Sequence, residues 1–196
     1  MDQGGAVFAK INSEEILSLR DFIRSKGYYS ELKDCITRDD RDWVLLRRYT
    51  SRDNVPVWMP RRNASGEALS LSGSKLAELS TFCREIIVYF CIEEWIDYQH
   101  WQDGELIRFM DGSDEGWDTV SGNPEAWENE CFFFAGSMEK RIAELTDNGE
   151  FTPEREQAIR IAWANKKIMS GAIEPQVSIV NMLRAIEKHF SIWLRD

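Results

Sequence analysis

Apolar residues form a continuous run, then alternate with polar ones, in the middle of the chain. The run from Ile86 to Ile92 predicts a strand that is covered on both faces and lies at the centre of a sheet. Residues 95–101 continue as alternating β sequence, and Asp103-Gly104 follows them. An Asp-Gly pair predicts a type I′ turn, because that turn needs positive φ at both central residues. The pattern therefore predicts a central hairpin over about residues 85–110.

The pattern before the hairpin predicts a strand, a helix and further strands. Asn12 and Glu15 have the spacing of an N-cap and its capping-box partner, and apolar residues recur at helical spacing after them. The stretch 61–75 is rich in Ser and Gly, which predicts a loop. Other predicted elements are strands over 6–11, 42–50 and 55–59, a strand near Cys35-Ile36 and a helix over 76–84.

After the hairpin the pattern becomes helical. Asn123-Pro124 is typical of a helix start with Asn as the cap, and three further helices follow, the second starting at Thr152-Pro153. This order predicts an α+β fold: a single mixed or mainly antiparallel sheet with a central hairpin, flanked by an N-terminal helix and a helical C-terminal third. We expect one domain over residues 1–196, with a helical subdomain over 136–196 as the second possibility.

The two faces of the hairpin differ in composition. If Asp103 and Gly104 form the turn, one face carries mainly apolar side chains and His100, and we predict that this face packs on the core. His100 is then expected to be a buried, hydrogen-bonded ring. The other face mixes aromatic residues with a diagonal Asp97 and Arg108 pair, as protein contact surfaces do. The structural alternative is that a helix covers this face too, and that Arg108 satisfies Asp97 and Gln99.

The loop after the hairpin is acidic and extends the candidate contact surface. Residues 111–116 resemble a calcium loop only superficially, since Gly122 stands where a bidentate glutamate is required, and a loose cation site stays open. The predicted partner-binding residues are Trp95, Asp97, Trp101, Leu106, Arg108, Met110, Asp111, Asp114 and Glu115.

Charge is distributed unevenly along the chain. The net charge is −10, yet residues 85–130 alone hold thirteen acids against Arg108, which leaves 21 acids and 23 bases elsewhere. Phosphates would be repelled by this segment, so nucleic acid and anionic membranes are not expected as partners. A basic protein would be attracted. The alternative is that the acids are solvated surface residues that keep the protein soluble.

Motifs for catalysis, cofactors and export are not found in the sequence. The two histidines are too few for a His-based metal site, and neither common nucleotide-binding glycine motif occurs, so no cofactor is expected. The four cysteines show no C-x-x-C spacing and are read as reduced thiols. Without a signal peptide or a membrane-spanning run, we expect a cytoplasmic protein.

Two functional hypotheses follow from these residues. The first is a non-catalytic, cytoplasmic protein-binding module whose acidic, tryptophan-bearing hairpin region binds a basic partner, as an inhibitor or immunity-type protein would. The second is an enzyme or small-ligand binder with a carboxylate-lined pocket near Glu93, Glu94 and Asp97, where Tyr98 or His100 would assist acid–base chemistry.

Overall fold

The computed structural model describes residues 4–25, 43–50, 61–62, 68–69, 71–92, 95–113, 116–168 and 179–192. They form eight strands and six α-helices, with a short 3₁₀ turn before the first helix. The strands are β1 (Gly4–Lys10), β2 (Trp43–Thr50), β3 (Arg61–Arg62), β4 (Ala68–Leu69), β5 (Glu85–Ile92), β6 (Trp95–Gln102), β7 (Glu105–Ser113) and β8 (Gly116–Gly122). The helices are α1 (Ile16–Ser25), α2 (Leu71–Cys83), α3 (Ala126–Phe132), α4 (Ser137–Asp147), α5 (Pro153–Asn165) and α6 (Ile179–Phe190).

The predicted α+β fold is confirmed. Six strands form one sheet in the order β2-β1-β5-β6-β7-β8, and β3 and β4 form a separate two-stranded ladder. The pairs β1–β2, β1–β5 and β7–β8 are all antiparallel. The apolar run of β5 lies inside the sheet, as its continuous hydrophobicity predicts. Helices precede and follow the hairpin in the expected positions.

The chain divides into two compact units, and β6 and β7 contribute residues to both. The first unit comprises residues 1–93 and 98–107, and the second comprises 94–97 and 108–196. Whether these residues form one folding domain, with or without a helical subdomain over 136–196, stays a prediction.

One face of the sheet in the first unit packs on α1 and α2. Alternate residues of β1 and β5 point to this side because successive side chains of a strand point in opposite directions. The helices contribute residues at spacings of three and four, which line one side of a helix. The cluster includes Val7, Ala9, Leu19, Ile23, Leu76, Leu79, Ile86, Val88 and Trp101. One half of the predicted capping box before α1 is present, since the Asn12 backbone N donates to Glu15 Oε2 at 3.3 Å. The Glu15 backbone N donates to the Asn12 carbonyl at 2.9 Å.

The second unit has an aromatic core around α3. Trp117 of β8 meets Phe132 edge to face with ring centroids 5.9 Å apart, and Trp127 lies at the same distance from Phe132. Helix α6 packs on α3. Between α4 and α5, Trp163 Nε1 donates to Ser137 Oγ at 2.8 Å. These contacts pack aromatic rings together, and the hydrogen bond to Ser137 satisfies the indole N–H of Trp163.

Two local predictions are wrong. The expected loop over 61–75 contains β3, β4 and the start of α2, which begins at Leu71 rather than at residue 76. The cap of α3 is Glu125 rather than Asn123, because Glu125 forms a reciprocal capping box with Glu128. The predicted strands near Cys35-Ile36 and over 55–59 lie outside the described residues.

Candidate partner-binding surface

The predicted hairpin turn is confirmed at Asp103 and Gly104. Both residues have positive φ, 49° and 89° respectively, as a type I′ turn requires. Aspartate tolerates this left-handed conformation better than most residues, and glycine adopts it without steric cost. The local sequence therefore determines where β6 ends and β7 begins.

Hydrogen bonds to α2 and to Arg84, which follows it, hold this turn in place. The Gly104 backbone N donates to Ser80 Oγ at 3.0 Å, and the Asp103 backbone N donates to the carbonyl of Arg84 at 2.9 Å. Ser80 is fully buried and also donates to the carbonyl of Ala77. Space is tight, since a Cβ added to Gly104 would lie 2.8 Å from Thr81 Oγ1. The turn is thus bonded to the end of a packed helix.

Three side chains project from the anchored turn. Asp103 and Glu105 are exposed, and Leu106 is 39% exposed. We call Asp103, Glu105 and Leu106 the hairpin tip. It combines two carboxylates with one accessible apolar side chain on a fixed backbone, which is a suitable arrangement for meeting a basic surface that carries an apolar contact.

The structure buries much of the contact face predicted from the sequence. Trp101 belongs to the core cluster with α1 and α2, and its Nε1 donates to Gln99 Oε1 at 3.0 Å. At Trp101 the structure therefore agrees with the alternative in which helices cover this face. Of the nine predicted residues, Asp97, Trp101, Arg108 and Met110 are buried, Trp95 and Asp111 are half-buried, Leu106 is exposed, and Asp114 and Glu115 lie outside the described residues.

Arg108 has partners other than Asp97 and Gln99. In the second unit its Nε and Nη2 donate to the two carboxylate oxygens of Glu128 at 2.8 and 2.6 Å. Its Nη1 donates to the carbonyls of Ser121 and Gly122, each at 3.1 Å. The side chains of Arg108 and Glu128 are 0% and 1% exposed, respectively. These four hydrogen bonds, two of them from the bidentate pair with Glu128, satisfy the buried guanidinium of Arg108 and join β7, the end of β8 and α3.

Glu128 also belongs to the cap of α3. It accepts from the Glu125 backbone N at 2.8 Å, while Glu125 accepts from Trp127 Nε1 at 2.6 Å. Burial raises the pKa of Glu128, although Arg108 and the Glu125 backbone N act in the opposite direction. The side chains of Arg108 and Glu128 thus have partners within the second unit, and their hydrogen bonds fix the strand–helix junction.

A second polar cluster joins three strands of the first unit. Glu85 lies between Lys10 and His100: its Oε2 is 2.9 Å from Lys10 Nζ, and its Oε1 is 2.9 Å from His100 Nε2. The prediction that His100 is buried and hydrogen-bonded is confirmed. Burial alone would raise the pKa of Glu85, but the hydrogen bonds from His100 and Lys10 outweigh it, so the pKa is lowered.

We expect the Glu85 cluster to stabilise the protein at neutral pH and less in acid. A lowered folded-state pKa gives stability that is present above the ordinary value of 4.5 and is lost as the pH falls through the folded pKa. Urea unfolding at pH 7 should show wild type more stable than Glu85→Gln, which cannot titrate there. At pH 3 the difference should shrink. A difference that grows with acidity would contradict this sign.

The carboxylate pocket of the second hypothesis stays a prediction. Asp97 is buried, and Glu93 and Glu94 lie outside the described residues. In the part of the chain that the structure describes, no group of three or more His, Cys, Asp or Glu side chains is placed to hold a metal ion. Cys83, Cys91 and Cys131 are buried thiols, and burial raises the pKa of Cys83 to about 12.

The geometry thus defines an α+β protein with an anchored acidic hairpin. No protein-family model, curated protein or solved structure matches the chain. Within the described ranges, no helix is long and apolar enough to cross a membrane.

Proposed function

We propose that this protein is a non-catalytic, cytoplasmic binding module that recognises a basic protein partner through its acidic hairpin region, as an inhibitor or immunity-type protein does. The observation that carries the proposal is the hairpin tip. Asp103 and Glu105 are exposed beside Leu106 on a turn that is hydrogen-bonded to α2. A surface that is already rigid loses little conformational entropy when it binds.

The ion pairs of other acidic residues support the hairpin tip as the surface that contacts the partner. Glu85, Glu128 and Glu130 are each engaged in ion pairs within the chain. Among the described acids of residues 85–130, the two at the tip are exposed at the hairpin turn and the start of β7, next to an accessible leucine. Carboxylates at an exposed rim mainly accelerate association with a cationic partner, while the apolar residue contributes once water is displaced.

Affinity capture from the native host tests this proposal. Wild type is expected to retain a basic protein at low salt, and Asp103→Asn combined with Glu105→Gln is expected to retain at least tenfold less. Asparagine keeps the preference for positive φ at the first turn position, so the turn should survive. Asp118→Asn, which removes one exposed charge from β8, is the matched control and should bind as wild type. Equal capture by the tip variant would contradict the proposal.

A further inference from the structure

Helix α5 has an exposed side that its own unit does not cover. Ile159 and Ala162 are buried and define the inner side of the helix. Glu154, Ala158, Ile161 and Asn165 follow at spacings of four, three and four residues, so they form one stripe along the helix, and all four are exposed. Ile161 is 46% exposed. Phe151, which precedes the N-cap Thr152, is 39% exposed. We call Glu154, Ala158, Ile161 and Asn165 the outer face of α5.

Charge is arranged along this outer face with opposite signs at its ends. Glu154 lies in the first turn of α5, and Lys166 and Lys167 follow its last residue. All three are exposed, and no ion pair joins any of them to another described residue. Between these ends Ala158 and Ile161 are uncharged. The ion pair of α5 between Arg160 and Glu156 lies on the flank of the helix.

We propose that the outer face of α5 binds the same face of a second copy of this chain, with the two helices antiparallel. In this arrangement Ile161 of each copy packs on Ala158 of the other, and Glu154 of each lies level with Asn165, next to Lys166 of the other. The contact is self-complementary, as a two-fold symmetric interface must be. A small residue opposite a large one lets two helices approach closely.

Charge complementarity favours a second copy over a basic partner at this place. The chain as a whole carries −10, which opposes self-association, but an antiparallel pair of these helices matches acids with lysines at both ends. The 13-residue helix is about 20 Å long, and one helix pair buries less than the roughly 800 Å² per partner of a standard interface. We therefore expect a weak dimer that dissociates at micromolar concentrations. This dimer does not depend on the proposed binding function.

Sedimentation equilibrium over micromolar to millimolar protein concentrations tests the dimer. Wild type is expected to shift from monomer to dimer, whereas Ile161→Glu should dimerise at least tenfold more weakly because it places like charges in the centre of the contact. Leu17→Glu, at a residue that is 70% exposed on α1, is the control and should behave as wild type. A wild type that stays monomeric, or an Ile161→Glu variant that dimerises equally, would overturn the proposal.

Charge reversal then tests the antiparallel orientation. Glu154→Lys and the pair Lys166→Glu with Lys167→Glu should each weaken the dimer, and the triple variant should restore it. Circular dichroism would show whether each variant keeps its helix content. A triple variant that dimerises no better than either parent would overturn this arrangement of the helices, even if wild type forms a dimer.

Discussion

Replacing Arg108 with methionine is expected to lower the free energy of unfolding by about 3–5 kcal/mol, the usual cost of removing one partner of a buried ion pair. The change would leave the Glu128 carboxylate buried without its bidentate donor. It would also leave the carbonyls of Ser121 and Gly122 without the hydrogen bonds that Nη1 now donates. Urea unfolding followed by tryptophan fluorescence measures the loss, and Trp127 lies beside the network.

Two further variants show whether the loss comes from the unpaired carboxylate. Combining Arg108→Met with Glu128→Leu should recover part of the stability, because an apolar pair no longer buries a lone charge. Lys188→Met removes an exposed ion pair with Glu130 and should change stability far less. If Arg108→Met and Lys188→Met cost the same, the Arg108 network would not hold the strand–helix junction.

Replacing Gly112 with alanine is expected to cost about 1–3 kcal/mol, the range found when extra atoms are forced into a packed site. A Cβ at this residue would lie 2.3 Å from the carbonyl oxygen of Gly116 and 2.8 Å from Trp117 Cα. Both are backbone atoms, so the start of β8 must move to relieve the contact. Thermal unfolding of Gly112→Ala, beside the exposed Ser121→Ala as control, measures this cost. An unchanged melting temperature would contradict the close approach of β7 and β8.

The bulge in β8 explains why this approach is so close. The register changes between Asp111 and Gly112, so that Asp111 pairs with Thr119 while Gly112 pairs with Trp117. Asp118 is the extra residue, and it is exposed. The bulge turns Trp117 inward, onto Phe132. The glycine at residue 112 is therefore required by the neighbouring backbone.

Features set by neighbouring residues could be predicted from the sequence. The turn at Asp103-Gly104 follows from the φ angles that this pair tolerates, and the start of α5 follows from Thr152, whose Oγ1 accepts from the Arg155 backbone N at 3.2 Å. The end of α4 follows in the same way from Asn148-Gly149, where Gly149 has a φ of 71°.

Contacts between distant residues could not be predicted. Alternation along β6 and β7 separates two faces, but it does not show that residues of both become buried, so Trp101 and Met110 were read as contact residues. Arg108 and Glu128 are 20 residues apart, and Lys10 and Glu85 are 75 apart. Both pairs depend on which strands and helices become neighbours. The charge count indicated the acidic stretch, and only the fold shows that Asp103 and Glu105 project from it.

Zero-length carbodiimide cross-linking in an extract of the native host tests the central claim most directly, because it joins carboxylates to lysines in direct contact. The exposed Lys188–Glu130 pair, with Nζ and Oε2 2.7 Å apart, should cross-link within the chain and confirm that the reagent acts. The account predicts that Asp103 or Glu105 becomes joined to a lysine of a basic partner. Cross-links to a partner that involve other carboxylates and never those at the hairpin tip would contradict it.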